Sequence, residues 1–274
     1  MRFFIKFFIF CSPFILLIVV TDLVQRKSLV PIKENSTYFI GSSRVKSYIN
    51  PEILNKKNKD IYNIGVNGST FLNNIILAEK LITKYQASEL FIELSGIHTD
   101  YREDHIVLGI SIFDYLKVVP ATGLVETIET YLFWKFNLRL IFKKLILSES
   151  SNVGYQSSKN NDYKEDDSFL KWEDIANNCK YDISQYEELV AYLLKIADTH
   201  HTKISFFLPL TFEREEERCM VSAVFRALPN ELRVNYTKAF LTDIRNPIYL
   251  RDKNHFNDKG AEVMTNYFDK FIKD

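Results

Sequence analysis

The chain has 274 residues, of which 46% are hydrophobic, enough for a sizeable core in one or two domains. Lys+Arg and Asp+Glu balance at 35 each, which excludes the broad basic field of a nucleic-acid binder. The three cysteines, Cys11, Cys179 and Cys219, have no metal-ligand spacing; Cys179 and Cys219 read equally as a disulfide of an exported domain or as two buried thiols.

In chain order, Phe7 to Thr21 carries no charge and follows Arg2 and Lys6. With Lys6 snorkelling, roughly 18 residues are available, near the lower limit for crossing a bilayer. Val19-Val20-Thr21-Asp22-Leu23 lacks the small residues of a signal-peptidase site, so residues 1–24 read as an uncleaved anchor, with a cleaved signal or a buried helix as alternatives. The basic start favours the body lying outside the cytoplasm. Residues 25–36 read as a linker, and 37–274 as one α/β domain.

Ser36 to Ile40 is a β-favouring run that ends in Gly41-Ser42-Ser43-Arg44, and Asp60 to Ile64 is a second, ending in Gly65-Val66-Asn67-Gly68. Phe71 to Tyr85 has helical spacing, with Leu72, Ile75, Ile76, Ala78, Leu81 and Ile82 on one face. Glu89 to Leu94 is a third strand. The rhythm predicts a parallel sheet with crossover helices. It stops over about 98–180, an insertion. There, Tyr131 to Leu147 reads as an apolar helix with a Lys135, Arg139, Lys143 stripe, suited either to a membrane interface or to packing on the core. Ser148 to Asp167 reads as a mobile loop. The pattern resumes with a helix at Asp182–Thr199, a strand at Lys203–Leu208, a helix at Phe212–Leu228, a fifth strand at Lys238–Leu241 and a last helix at Asn257–Lys273. The expected fold is a three-layer α/β sandwich around a short, mostly parallel five-stranded sheet, behind one transmembrane helix.

Three blocks carry chemistry. Gly41-Ser42-Ser43 alone is a turn, Asp252-Lys253-Asn254-His255 alone a helix-start cap, and Asn63-Ile64-Gly65-Val66-Asn67-Gly68 alone a loop. Each, however, falls at a predicted strand end or the start of the last helix, and together they supply an alcohol, an imidazole and a carboxylate. A serine just past a parallel strand stands where open α/β sheets bind ligands. Ser43 is the candidate nucleophile, His255 its base, and Asp252 the group that fixes the imidazole tautomer. The backbone N–H groups of Ser43 and Gly68 are candidate oxyanion donors. His200 and His201 read as a solvated helix end, and Asp100, Glu103, Asp104 and His105 as a solvated acidic cluster. No zinc pattern occurs, and the sequence implies no cofactor or metal.

These blocks resemble those of the SGNH/GDSL hydrolase-like superfamily, over about 37–100 and 182–273. More narrowly they are similar to its membrane-anchored DltD-like and AlgX/AlgJ-like members. Ser42 stands where the family more often has Asp. Where it has Gly-x-Asn-Asp, with the Asn donating to the oxyanion, this chain reads Ser95-Gly96-Ile97-His98, which leaves His98 as a candidate donor. Arg44, Asn67 and Asn254 flank the blocks and are candidate substrate-binding residues. The resemblance implies an anchored serine acyltransferase that moves an acyl group, acetyl by that analogy, onto an envelope or exported polysaccharide, beside a membrane-bound acyl-donor protein. A carbohydrate O-acetyl esterase of the same fold, or a non-catalytic glycan-binding or scaffold protein, are the alternatives.

Overall fold

Four short apolar segments make the sheet, and each alternates sides along its length. The structure, a computed structural model, describes residues 33–55, 60–97, 154–159, 179–212 and 214–272, together with isolated positions between 5 and 20 and residue 117. The strands are β1 (Thr37–Gly41), β2 (Ile61–Gly65), β3 (Glu89–Glu93) and β4 (Lys203–Phe207). They pair in parallel in the order β2-β1-β3-β4. Between them lie α1 (Ser43–Tyr48), α2 (Pro51–Asn55), α3 (Phe71–Tyr85) and α4 (Ser184–His200). After the sheet come α5 (Glu215–Ala227), α6 (Lys238–Ile244) and α7 (Asp258–Phe268).

The alternation sorts the core into two halves. Tyr38, Ile40, Leu90, Ile92, Ile204 and Phe206 pack with residues of α3, α4 and α5. Phe39, Phe91 and Phe207 pack on the other face with residues of α1, α2, α6 and α7. There Phe39 stacks on Phe91 at 4.7 Å, and Phe268 of α7 meets the rings of Phe39, Phe91 and Phe207 edge-on at 5.2, 5.6 and 5.0 Å. The helical face expected on α3 is buried throughout, as are Ala261, Met264 and Phe268 of α7.

Among the described residues, one predicted strand is a helix instead. Lys238–Leu241 is not a fifth strand but the start of α6, capped by Thr237, whose hydroxyl accepts from the Phe240 N–H at 3.2 Å. The outer edge of β4 instead meets a single parallel bridge, Phe206 to Arg233, with the Val234 N–H donating to the Phe206 carbonyl at 2.8 Å. A run as short as Lys238-Ala239-Phe240-Leu241 fits either structure, and the cap favours the helix.

Cys179 and Cys219 are bonded, tying the chain ahead of α4 to α5. Most of the insertion lies outside the described residues, including Tyr131–Leu147 and the Asp100 to His105 cluster. Part of the stretch expected to be a mobile loop is docked. The N–H of Gly154 donates to Gly65 O at 3.2 Å and that of Gln156 to Lys46 O at 2.9 Å. Tyr155, Ser157 and the Ser158 N–H all donate to the Asp258 carboxylate. This strap and α7 border a groove of about 580 Å³ lined by Asn50, Glu52, Ile53, Tyr155, Ser157, Asp258 and Glu262. Among the described residues no helix is long and apolar enough to cross a membrane, and most of the predicted anchor at 1–24 lies outside them.

Candidate active site

Sheet order places the crevice. The chain leaves β1 for β2 on one side and then crosses back to β3 on the other, so the order reverses between β1 and β3. In open α/β sheets ligands bind outside the carboxyl ends at such a reversal. β1 ends there in Gly41, and two residues later Ser43 opens α1. Ser42 is the N-cap, extended at φ −82° and ψ −164°, with its hydroxyl accepting from the Arg44 N–H at 3.2 Å. Ser43 is therefore the first helical residue and is partly exposed.

His255 comes from a tight loop between α6 and α7. The loop closes on itself through the Arg251 N–H donating to His255 O at 2.9 Å and a bridge between Leu250 and Phe256. It is fastened to α1 by the Phe256 ring stacked on Tyr48 at 4.4 Å, the Tyr48 hydroxyl donating to Asn254 O at 3.4 Å, and the Phe256 N–H donating to Ser47 Oγ at 3.3 Å. These contacts bring together groups 212 residues apart: His255 Nε2 lies 2.8 Å from Ser43 Oγ.

On its other side, the ring Nδ1 lies 2.8 and 3.0 Å from the two carboxylate oxygens of Asp252. Asp252 Oδ1 also accepts from the N–H groups of Asn254 at 2.9 Å and His255 at 3.0 Å. Burial by itself would push this carboxyl up. The hydrogen bonds from the His255 ring, the Asn254 N–H and Arg251 outweigh it and hold the carboxyl well below the ordinary carboxylate range. An acceptor-only carboxylate at Nδ1 keeps the Nδ1–H tautomer, leaving Nε2 free to accept the Ser43 proton.

The other sequence candidates divide. Gly68 follows β2 at the same edge, exposed and at φ +67°, a left-handed conformation suited to glycine; Asn67 beside it is exposed. Among the described residues no hydrogen bond from the Ser43 or Gly68 N–H is found. His98 lies outside the described residues. Arg44 is not a substrate contact. It is buried, its guanidinium donating to Glu217 Oε1 at 2.6 Å and to the Thr211 carbonyl. Burial opposes the charge, but Glu217 and Glu93 outweigh it and hold its pKa above the ordinary guanidinium value. Asn254 is also buried, and its main chain holds the loop between Tyr48 and Asp252. His200 and His201 are exposed at the end of α4. Among the described residues no group of His, Cys, Asp and Glu could hold a metal ion.

Sequence reasoning missed the carboxylates beside the candidate nucleophile. Glu93, at the end of β3, accepts from the Ser42 N–H and hydroxyl and from the Ser95 hydroxyl. Glu217 of α5 accepts from Arg44 and, at 3.3 Å, from the Gly96 N–H. One signal was present: period-two alternation puts Glu93 on the same face as Phe91, the face that α1 covers.

No family model matches the chain, and no curated protein matches it. Among solved structures, a protein assigned as a GDSL-like lipase from Parabacteroides merdae ATCC 43184 covers 88% of this chain and 97% of its own, at 12% identity and a TM-score of 0.26. A likeness that shallow carries no argument; the topology and the geometry above do.

Proposed function

We propose that this chain is a membrane-anchored serine acyltransferase of the SGNH/GDSL hydrolase-like type, moving an acyl group, acetyl by resemblance, onto an envelope or exported polysaccharide. The observation that carries the proposal is the line of three side chains, Ser43 Oγ to His255 Nε2 at 2.8 Å and Nδ1 to Asp252 at 2.8 Å, at the carboxyl edge of a parallel sheet. The parallel sheet between two helical layers supports the fold assignment. The Cys179–Cys219 bond supports an extracytoplasmic location, because disulfides persist in oxidising compartments.

The chemistry follows from the positions. Ser43 Oγ attacks the carbonyl carbon of the donor ester while His255 Nε2 takes the hydroxyl proton. Negative charge gathers on the carbonyl oxygen, facing the N–H groups of Ser43 and Gly68. The tetrahedral species collapses, the donor C–O bond breaks, and His255 returns the proton to the leaving alcohol. An acyl-Ser43 ester remains. A glycan hydroxyl then gives its proton to His255 and attacks, and Ser43 recovers its hydrogen as the product leaves.

Hydrolysis is the second reading, favoured by the exposure of the relay: the Asp252 side chain is 45% and the His255 side chain 19% accessible, so water reaches the site. One experiment separates the two. The purified full chain is given p-nitrophenyl acetate with and without a polysaccharide acceptor, beside Ser43→Ala. Transfer predicts acetylated glycan and a rate that rises with acceptor; an esterase releases acetate regardless of acceptor. If Ser43→Ala retains the wild-type rate, acyl-serine chemistry is wrong and a binding or scaffold role replaces it.

A further inference from the structure

The nucleophile turn rests on a buried carboxylate that takes no part in the proton relay. Glu93 is 0% exposed, and its Oε2 accepts from the Ser42 N–H at 2.8 Å, the Ser42 hydroxyl at 2.7 Å and the Ser95 hydroxyl at 2.7 Å. Its Oε1 has no hydrogen-bond partner among the described residues and faces Arg44, whose Nε lies 3.8 Å away. Arg44 in turn binds Glu217, which accepts from the Gly96 N–H. The network therefore spans the crevice. It ties the turn after β1, which carries Ser43, to the turn after β3.

Burying a carboxylate here strips it of water, a penalty that only close donors and a nearby cation offset. A scaffold with no further duty could fill the space with apolar side chains. Here the donors are the two groups of Ser42 that decide how α1 begins. The Ser42 N–H fixes the peptide leaving Gly41. The Ser42 hydroxyl, held by Glu93, keeps its lone pair on the Arg44 N–H and so completes the cap. Ser43 lies between these two fixed points, which set the direction of its Cα–Cβ bond and so the arc its Oγ can reach.

We propose that Glu93 is a positioning residue for the acyl-transfer site: its carboxylate clamps Ser42 and Ser95 and thereby aims the Ser43 hydroxyl at His255. The inference rests on Ser43 being a nucleophile. Misplacing a reacting atom by an ångström costs on the order of 10²-fold in rate. Replacing the carboxylate therefore lowers kcat without weakening substrate binding.

The test compares the full chain, wild type and Glu93→Gln, using p-nitrophenyl acetate turnover per site titrated with a fluorophosphonate, plus the rate of fluorophosphonate labelling. The expected result for Glu93→Gln is a fall of about 10- to 100-fold in both kcat per titrated site and labelling rate, with KM within about twofold. A purely structural carboxylate would lower the melting temperature and the number of titratable sites but leave each surviving site at the wild-type rate; that result overturns the proposal. If Glu93→Gln does not fold, Ser42→Ala is read instead: a fall of about tenfold per site supports the proposal, and wild-type turnover overturns it. Wild-type protein unlabelled at Ser43 sinks the nucleophile reading itself. A labelled wild type with an equally reactive variant sinks only the role of Glu93.

Discussion

Replacing Asp252 with Asn tests the relay at its most informative joint, because the surrounding backbone dictates how the amide must lie. Oδ1 accepts two main-chain N–H groups, from Asn254 at 2.9 Å and His255 at 3.0 Å, so the amide oxygen takes that place. The NH2 then falls at the position of Oδ2, which is 3.0 Å from His255 Nδ1 and 3.2 Å from Arg251 Nε, both donors in the native arrangement. A donor facing the ring favours the tautomer whose Nδ1 accepts, and in that tautomer Nε2 carries a hydrogen and cannot take the Ser43 proton. Two losses combine. A hydrogen bond to an ionised group contributes about 1.5–3 kcal/mol, or roughly 10- to 150-fold. The wrong tautomer brings the total toward the 10⁴-fold seen when such a carboxylate becomes an amide in a serine triad. Because Oδ1, at 2.8 Å, still competes for Nδ1–H, the expected fall in kcat is about 10³- to 10⁴-fold with KM nearly unchanged. The assay is p-nitrophenyl acetate turnover per fluorophosphonate-titrated site. A variant within tenfold of wild type would refute the argument that Asp252 orients the ring.

Three more expectations follow from the same geometry. In Gly41→Ala, the new Cβ would lie 2.6 Å from Glu93 Oε2 and 2.7 Å from Glu93 Cβ and press on Val45, so overpacking should destabilise by about 1–3 kcal/mol in denaturant titration. A variant as stable as wild type would show that the β1 end tolerates a side chain. Replacing Cys179 and Cys219 by Ser opens a loop of 40 residues and should lower stability by about 4 kcal/mol at most, measured as the difference in denaturant midpoint times the slope; no loss would mean the bond constrains nothing. The pH dependence has a definite sign. The folded Asp252 carboxyl lies below its ordinary value, so its contribution to stability is in place above about pH 4 and is lost as pH falls through the folded value. The melting-temperature gap between wild type and Asp252→Asn should stay level from pH 7 to about pH 4 and close only below that; closure between pH 7 and 5 would contradict it.

Legibility in the sequence tracks the distance over which each determinant acts. The four strands, α3, α4, α5 and α7 are near their predicted places because period-two and period-3.6 apolar patterns are local and strong. Lys238–Leu241 failed because so short a run fits either structure, and the Thr237 cap favours the helix. The meeting of Ser43, His255 and Asp252 was readable as an expectation because an alcohol, an imidazole and a carboxylate stand in blocks that the predicted elements bring to one sheet edge. Arg44 was misread because proximity in sequence to a candidate nucleophile says nothing of which way a side chain points. Arg44 leaves the crevice for Glu217, on a helix that begins 122 residues after the end of β3.

The chain alone therefore determined the periodicities, the strand ends and which three groups were candidates for the site, since these depend on near neighbours and intrinsic chemistry. Only the folded arrangement decided that a hydroxyl and an imidazole 212 residues apart lie 2.8 Å from each other, and that a strand-end glutamate holds Ser42 beside that hydroxyl. Those outcomes depend on strand order, ring packing and burial, which join distant segments and leave no local trace.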